Sequence, residues 1–214
     1  MKRFLVIAVA AFLLPVSLWA QRTVQEAALT YRIGVEGQSS ALMKDASLTV
    51  FVKGNLSRTD MVSNLGTETT IFDHKSGKGV VLKEYSGQKL MITMTRDNWE
   101  QKNQLMHNMV FGEAKPGEKI GDFTCSRANG KTNDGRQVSV CYMPYISLTN
   151  NTYANAFGKL RGIPVQYELE AGKSKFTYTL SNISYEPVPV SRFDIPTSGY
   201  RVMTYEENLQ LKRG

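Results

Sequence analysis

The chain has 214 residues, 42% of them hydrophobic, and carries 26 Lys and Arg against 19 Asp and Glu for a formal charge of +7. Such a length suits one domain with a real core. The basic residues are scattered, often between apolar positions, which excludes the clustered stripe of a nucleic-acid-binding protein and leaves at most peripheral attraction to an anionic membrane.

The elements begin with a targeting signal. Lys2 and Arg3 precede an apolar run over residues 4–16, and residues 17–20 end in the small Ala20. That is the pattern of a secretory signal peptide, with cleavage expected after Ala20. The run is short of the roughly 20 apolar residues that a membrane span needs. No Cys follows the cleavage region, so no lipoprotein anchor is expected. Residues 21–214 are read as a single exported domain of formal charge +5 after loss of Lys2 and Arg3. The expected compartment is the periplasm, with outer-membrane association or release from the cell as alternatives.

Period-two alternation then dominates. Leu29, Tyr31, Ile33 and Val35 alternate with Thr30, Arg32 and Gly34, and Leu48, Val50 and Val52 with Thr49 and Lys53. Leu90, Ile92 and Met94 continue the pattern, as do Ile163, Val165, Tyr167 and Leu169, and Phe176, Tyr178 and Leu180. One buried and one wet face per strand is the antiparallel signature. Turn sequences such as Lys53-Gly54-Asn55, Ser76-Gly77-Lys78-Gly79 and Ala171-Gly172-Lys173 punctuate the runs. The spacing predicts a mainly β domain of nine to eleven strands.

Three segments depart from alternation and predict short helices or ordered loops. Residues 95–108 have Asp97 and Asn98 as candidate caps, residues 150–160 are ambiguous, and residues 205–211 follow a Thr204-x-x-Glu207 capping box. Beyond Asn98, the residues Trp99, Leu105, Met106 and Met109 are spaced roughly as one helical face.

Between these lies the one covalent constraint. Residues 120–128 and 136–143 flank Asn129-Gly130-Lys131-Thr132-Asn133-Asp134-Gly135. A hairpin centred on Asn133 sets Cys125 opposite Cys141 and Phe123 opposite Met143, on one face, close enough for a disulfide. Export to an oxidising compartment favours that bond.

The segments Ile120-Gly121-Asp122-Phe123-Thr124-Cys125, Asp134-Gly135-Arg136, Cys141-Tyr142-Met143-Pro144, Leu160-Arg161-Gly162-Ile163-Pro164 and Phe193-Asp194-Ile195-Pro196 occur in that order, ahead of Tyr200. This order resembles bacterial envelope proteins related to the LolA-type lipoprotein carriers, of the kind found in Bacteroidota. In many of those a Trp stands where Cys141 is found here. The resemblance implies a curved antiparallel half-barrel around an apolar cavity, with helices as a lid. No position matches the family's cavity Arg, so no functional residue is carried over.

Catalytic chemistry is not legible. His74 and His107 belong to no zinc pattern, and no nucleophile elbow, phosphate loop or dinucleotide fingerprint occurs, so neither an enzyme nor a metal or other cofactor is expected. Eight methionines lie beyond residue 20, four of them at 91–109 beside Trp99 and Leu105. Flexible thioethers suit surfaces that accept varied apolar ligands. Met91, Met94, Trp99, Leu105, Met106 and Met109 are therefore the candidate lid, and Tyr31, Ile33 and Val50 the candidate cavity wall. The expected partner is an apolar small molecule, lipid or lipidated protein. The alternative is a structural envelope component that meets other envelope proteins and takes no ligand.

Overall fold

In the computed structural model, which describes residues 21–41, 43–104, 106, 109–150, 157 and 159–211, each alternating run forms a strand. The expected signal peptide at residues 1–20, and most of the ambiguous segment 150–160, lie outside the described residues.

The chain opens with β1 (Arg22–Val24) and runs through β2 (Glu26–Gly37), β3 (Ser47–Lys53), β4 (Leu56–Ser63), β5 (Gly66–Asp73), β6 (Lys78–Tyr85) and β7 (Gln88–Met94). Helix α1 (Arg96–Asn103) follows, then β8 (Val110–Phe111), β9 (Lys115–Ile120), β10 (Phe123–Lys131), β11 (Gln137–Met143) and β12 (Ile146–Leu148). After β13 (Ile163–Ala171) and β14 (Ser174–Ser184) come a 3-10 turn (Val190–Phe193), β15 (Arg201–Thr204) and α2 (Tyr205–Leu211). The class is mainly β and antiparallel, as expected. Very short strands raise the number: β1, β8, β12 and β15 have two to four residues, too few to display a period of two.

Thirteen strands form one sheet in the order β15-β7-β6-β5-β4-β3-β2-β14-β13-β11-β10-β8, with β9 also on β10. From β2 to β7 the path is a meander of consecutive hairpins. The second wing is added on the other side of β2 through β14. Two pairings are parallel, β15 on β7 and the separate β1 on β12. The order is linear, with β15 and β8 at opposite ends, so the sheet stays open rather than closing into a barrel.

The sheet is strongly curled. Met61 of β4 and Val138 of β11 line the same cavity although their strands are five steps apart. A flat sheet would separate them by roughly 24 Å at the usual strand spacing. The largest core cluster fills the bend, with Ala27, Leu29 and Tyr31 of β2, Val50 and Val52 of β3, Ile163 and Val165 of β13, and Leu180 of β14. Tyr31 donates its hydroxyl to the Pro164 carbonyl at 2.9 Å, which satisfies a polar group inside that core.

The β5–β6 wing is covered on both sides. Val81 packs with Ile92, Trp99, Met203 and Tyr205 on one face, and Val80 and Leu82 with Val188 and Phe193 on the other. A strand buried on both faces reads as a continuous apolar run, as Val80-Val81-Leu82 does.

The cysteine hairpin differs from the expectation in register. Arg127 lies opposite Cys141 and Ser126 opposite Tyr142, so paired numbers sum to 268 and Cys125 is not opposite Cys141. The loop is centred on Asp134, because the Thr132 amide donates to the Arg136 carbonyl and Gly135 takes φ 86°. Cys125 and Cys141 are nonetheless joined, diagonally, with Cα atoms 5.5 Å apart. A bulge between Cys125 and Arg127 in the β9 pairing bends the strand there. The expected single strand over residues 120–128 is in fact two: Gly121, at φ 56°, turns β9 into β10 with Ile120 facing Phe123. Gly162 is needed for close approach, since a Cβ there would lie 2.4 Å from the Met143 carbonyl oxygen.

Both helices start at caps. For α1 the cap is Thr95, not Asp97 or Asn98: Thr95 Oγ1 accepts from the Asn98 amide at 3.3 Å, and Asn98 Oδ1 from the Thr95 amide at 3.0 Å. The expected box before α2 is present, with the Glu207 amide donating to Thr204 Oγ1 and Glu207 Oε2 accepting from the Thr204 amide. Among the described residues, no helix is long and apolar enough to cross a membrane.

Candidate functional site

At one end of the curl, four loops and strand ends leave a cavity of about 630 Å³. Its floor is one face of β11, β13 and β14. Tyr178 pairs across the strands with Tyr167 and Ile33, and Phe176 with Leu169 and Val35, so these side chains share a face. The Tyr178 ring stacks on Tyr167 at 4.6 Å and 8°, which holds the wall rigid. Burial pushes the Tyr178 phenol above its usual pKa.

Three methionines from three separate segments line the space. Met43 comes from the β2–β3 loop, where its amide donates to the Ser39 carbonyl at 3.0 Å. Met61 comes from β4 and adjoins Leu65 at the β4–β5 turn. Met106 follows α1 in a turn whose amide donates to the Asn103 carbonyl at 2.9 Å. Val138, Leu169, Phe176 and Tyr178 complete the apolar surface. An adaptable thioether lining over rigid aromatics suits a flexible apolar guest.

The rim is polar. Lys102 and Arg136 both line the cavity, and the carboxylates that pair with them, Glu68 and Asp134, do not. Lys102 Nζ lies 3.9 Å from Glu68, and Arg136 donates to Asp134 and, at 2.8 Å, to the Glu170 carbonyl. The Arg136 and Thr132 bonds hold the Asp134 carboxyl down to about 2. Asn133 Nδ2 donates to the Gln104 carbonyl at 2.6 Å, fastening the β10–β11 loop to the end of α1.

The expected site residues do not converge. Met106 lines the cavity. Ile33 is buried beside its wall with Met43, Ala46, Phe176 and Tyr178. Tyr31 and Val50 lie in the main core, Met94 and Trp99 in the cluster under α1 and α2, Met91 against Val80 and Leu82, and Met109 among Ala128, Val138 and Phe157. Leu105 lies outside the described residues. Of the expected lid face, Trp99 is stacked on Phe72 at 4.4 Å, away from the cavity, and Met106 lies beyond the end of α1 at Asn103.

Sequence reading missed Met43, Met61, Leu65, Val138, Leu169 and Phe176 as cavity residues. Their one shared signal was apolar character next to turns. It also missed a short contact between Ser57 Oγ and His74 Nε2, at 2.8 Å. Ser57 is only 2% exposed, neither residue lines the cavity, and the bond braces β4 on the end of β5. Burial, with the Arg96 charge adding to it and Asp73 opposing, lowers the His74 imidazole to about 4. No cluster of His, Cys, Asp and Glu suited to a metal occurs among the described residues.

No protein-family model matches the sequence, and no curated protein matches it. Among solved structures, PNGF-II is similar at 12% identity with a TM-score of 0.48, over 88% of this chain and 32% of that one. The chain thus spans about a third of PNGF-II. The Mycobacterium tuberculosis lipoprotein LppX is similar at 12% identity and a TM-score of 0.41, over 78% of this chain and 90% of LppX. A β-barrel-like protein of a domain of unknown function from Brucella abortus is similar at 9% identity and a TM-score of 0.39, over 77% and 99% of the two chains.

Proposed function

We propose that the protein is an exported envelope protein that carries or senses an apolar ligand, without catalysis, in the cavity between β4, α1, β11, β13 and β14. The observation that carries this reading is the cavity itself. Its 630 Å³ falls within the roughly 300–1,000 Å³ of small-molecule sites, and its floor and walls are methionine, aliphatic and aromatic. The sequence resemblance to LolA-type carriers and the signal-like residues 1–20 support the placement in the envelope. The LolA-like half-barrel reading is supported by the open, curled sheet.

Native mass spectrometry of gently purified mature protein, with lipid extraction from the same sample, is the test. A co-purifying apolar species is expected. Leu169→Trp, which fills the cavity, should lose it while melting as a folded protein. If folded parent protein carries nothing and takes up no fluorescent fatty acid, the carrier reading fails and the structural envelope role replaces it.

A further inference from the structure

We propose that the occupant is a single-chain amphiphile with an anionic head, one molecule per chain, its head between Lys102 and Arg136 and its tail among the methionines. The inference rests on the carrier reading and narrows it.

Volume sets the number of chains. A volume of about 630 Å³ is that of a site for one small molecule, and a single long acyl chain is a ligand of that class. The walls agree with this count. Tyr178 stacked on Tyr167 limits expansion on one side, and the Asn133 bond to the Gln104 carbonyl ties the opposite side.

Charge sets the head. Among the described residues, the lining contains two cations, Lys102 and Arg136, and one carboxylate, Glu170, which is exposed. Glu68 and Asp134, which pair with these cations, do not themselves line the cavity. A carboxylate or phosphate at the cavity rim meets two positive side chains, and charge-assisted hydrogen bonds to them exchange with the ion pairs to Glu68 and Asp134.

The test uses the delipidated mature protein with palmitate, hexadecanol, dipalmitoyl phosphatidylglycerol and a tripalmitoyl lipopeptide, read by native mass spectrometry and calorimetry. Palmitate should bind one to one, and about tenfold more tightly than hexadecanol. In Lys102→Gln with Arg136→Gln, palmitate should fall to the level of hexadecanol while hexadecanol is unchanged, which also shows that the cavity is intact. Should the double variant misfold, Lys102→Gln alone should lower palmitate and spare hexadecanol, and Arg136→Lys should keep most palmitate binding. Tighter binding of the two- or three-chain lipids, or equal binding of palmitate by parent and charge variants, overturns this inference and leaves the carrier reading standing. Binding of none of the four overturns both.

Discussion

The side chain of Asn133, at the tip of the β10–β11 hairpin, donates to the main-chain carbonyl of Gln104, at the end of α1, at 2.6 Å. One hydrogen bond thus joins the second wing of the sheet to the helix that follows the first wing. Asn133→Ala removes the donor and leaves an exposed carbonyl to water. The global cost should be at most about 1 kcal/mol, since water replaces an exposed bond. Amide exchange around Thr132 and Asn103 should accelerate, and a bound fatty acid should dissociate faster. Unchanged exchange at both places would show that the bond fastens nothing.

Trp99 and Met106 should separate fold from binding. Trp99 is stacked on Phe72 within a buried cluster, so Trp99→Ala should cost about 3–5 kcal/mol in urea unfolding. Ligand affinity measured on the folded fraction should change little. Met106→Ala should do the reverse, with a small change in unfolding and a clear loss of affinity, since Met106 faces the cavity. Equal effects of the two substitutions on both measurements would remove Met106 from the site.

The disulfide links positions 16 apart in sequence, and both cysteines are buried. Replacing both by Ser should lower stability by about 3 kcal/mol, through the unfolded-state entropy of a loop of that size. Urea melts of parent and variant, with and without reductant, check this. The reductant should shift only the parent.

His74 makes stability depend on pH. Burial holds its folded pKa at about 4 against 6.5 for a free imidazole, so the folded state favours the neutral ring. The contribution is complete above pH 6.5 and is lost as pH falls from there toward 4, because the unfolded chain binds the proton first. His74 is half-buried, and solvent screening reduces the loss to about 1–2 kcal/mol. His74→Gln, which keeps a partner for Ser57, should flatten the curve between pH 6.5 and 4.5. An identical slope in parent and variant would assign the effect to other groups.

What the sequence determined by itself was whatever depends on neighbours along the chain. Alternation specified the faces of β2, β3 and β7, because a strand's side chains alternate whatever it pairs with. The Thr204 and Glu207 box marked the start of α2 for the same local reason. The pairing of Cys125 with Cys141 was legible as well, since a hairpin keeps both on one face even when the register moves by two. The tertiary structure alone decided the register, which depends on how Thr132, Gly135 and Arg136 close their loop. It also decided which methionines meet. Trp99 had the spacing of a lid residue, yet Phe72, 27 positions earlier, offered a closer surface and drew it into the core. Met43, Met61 and Met106 share no helix or strand, and only the curl of the sheet brings them to one cavity.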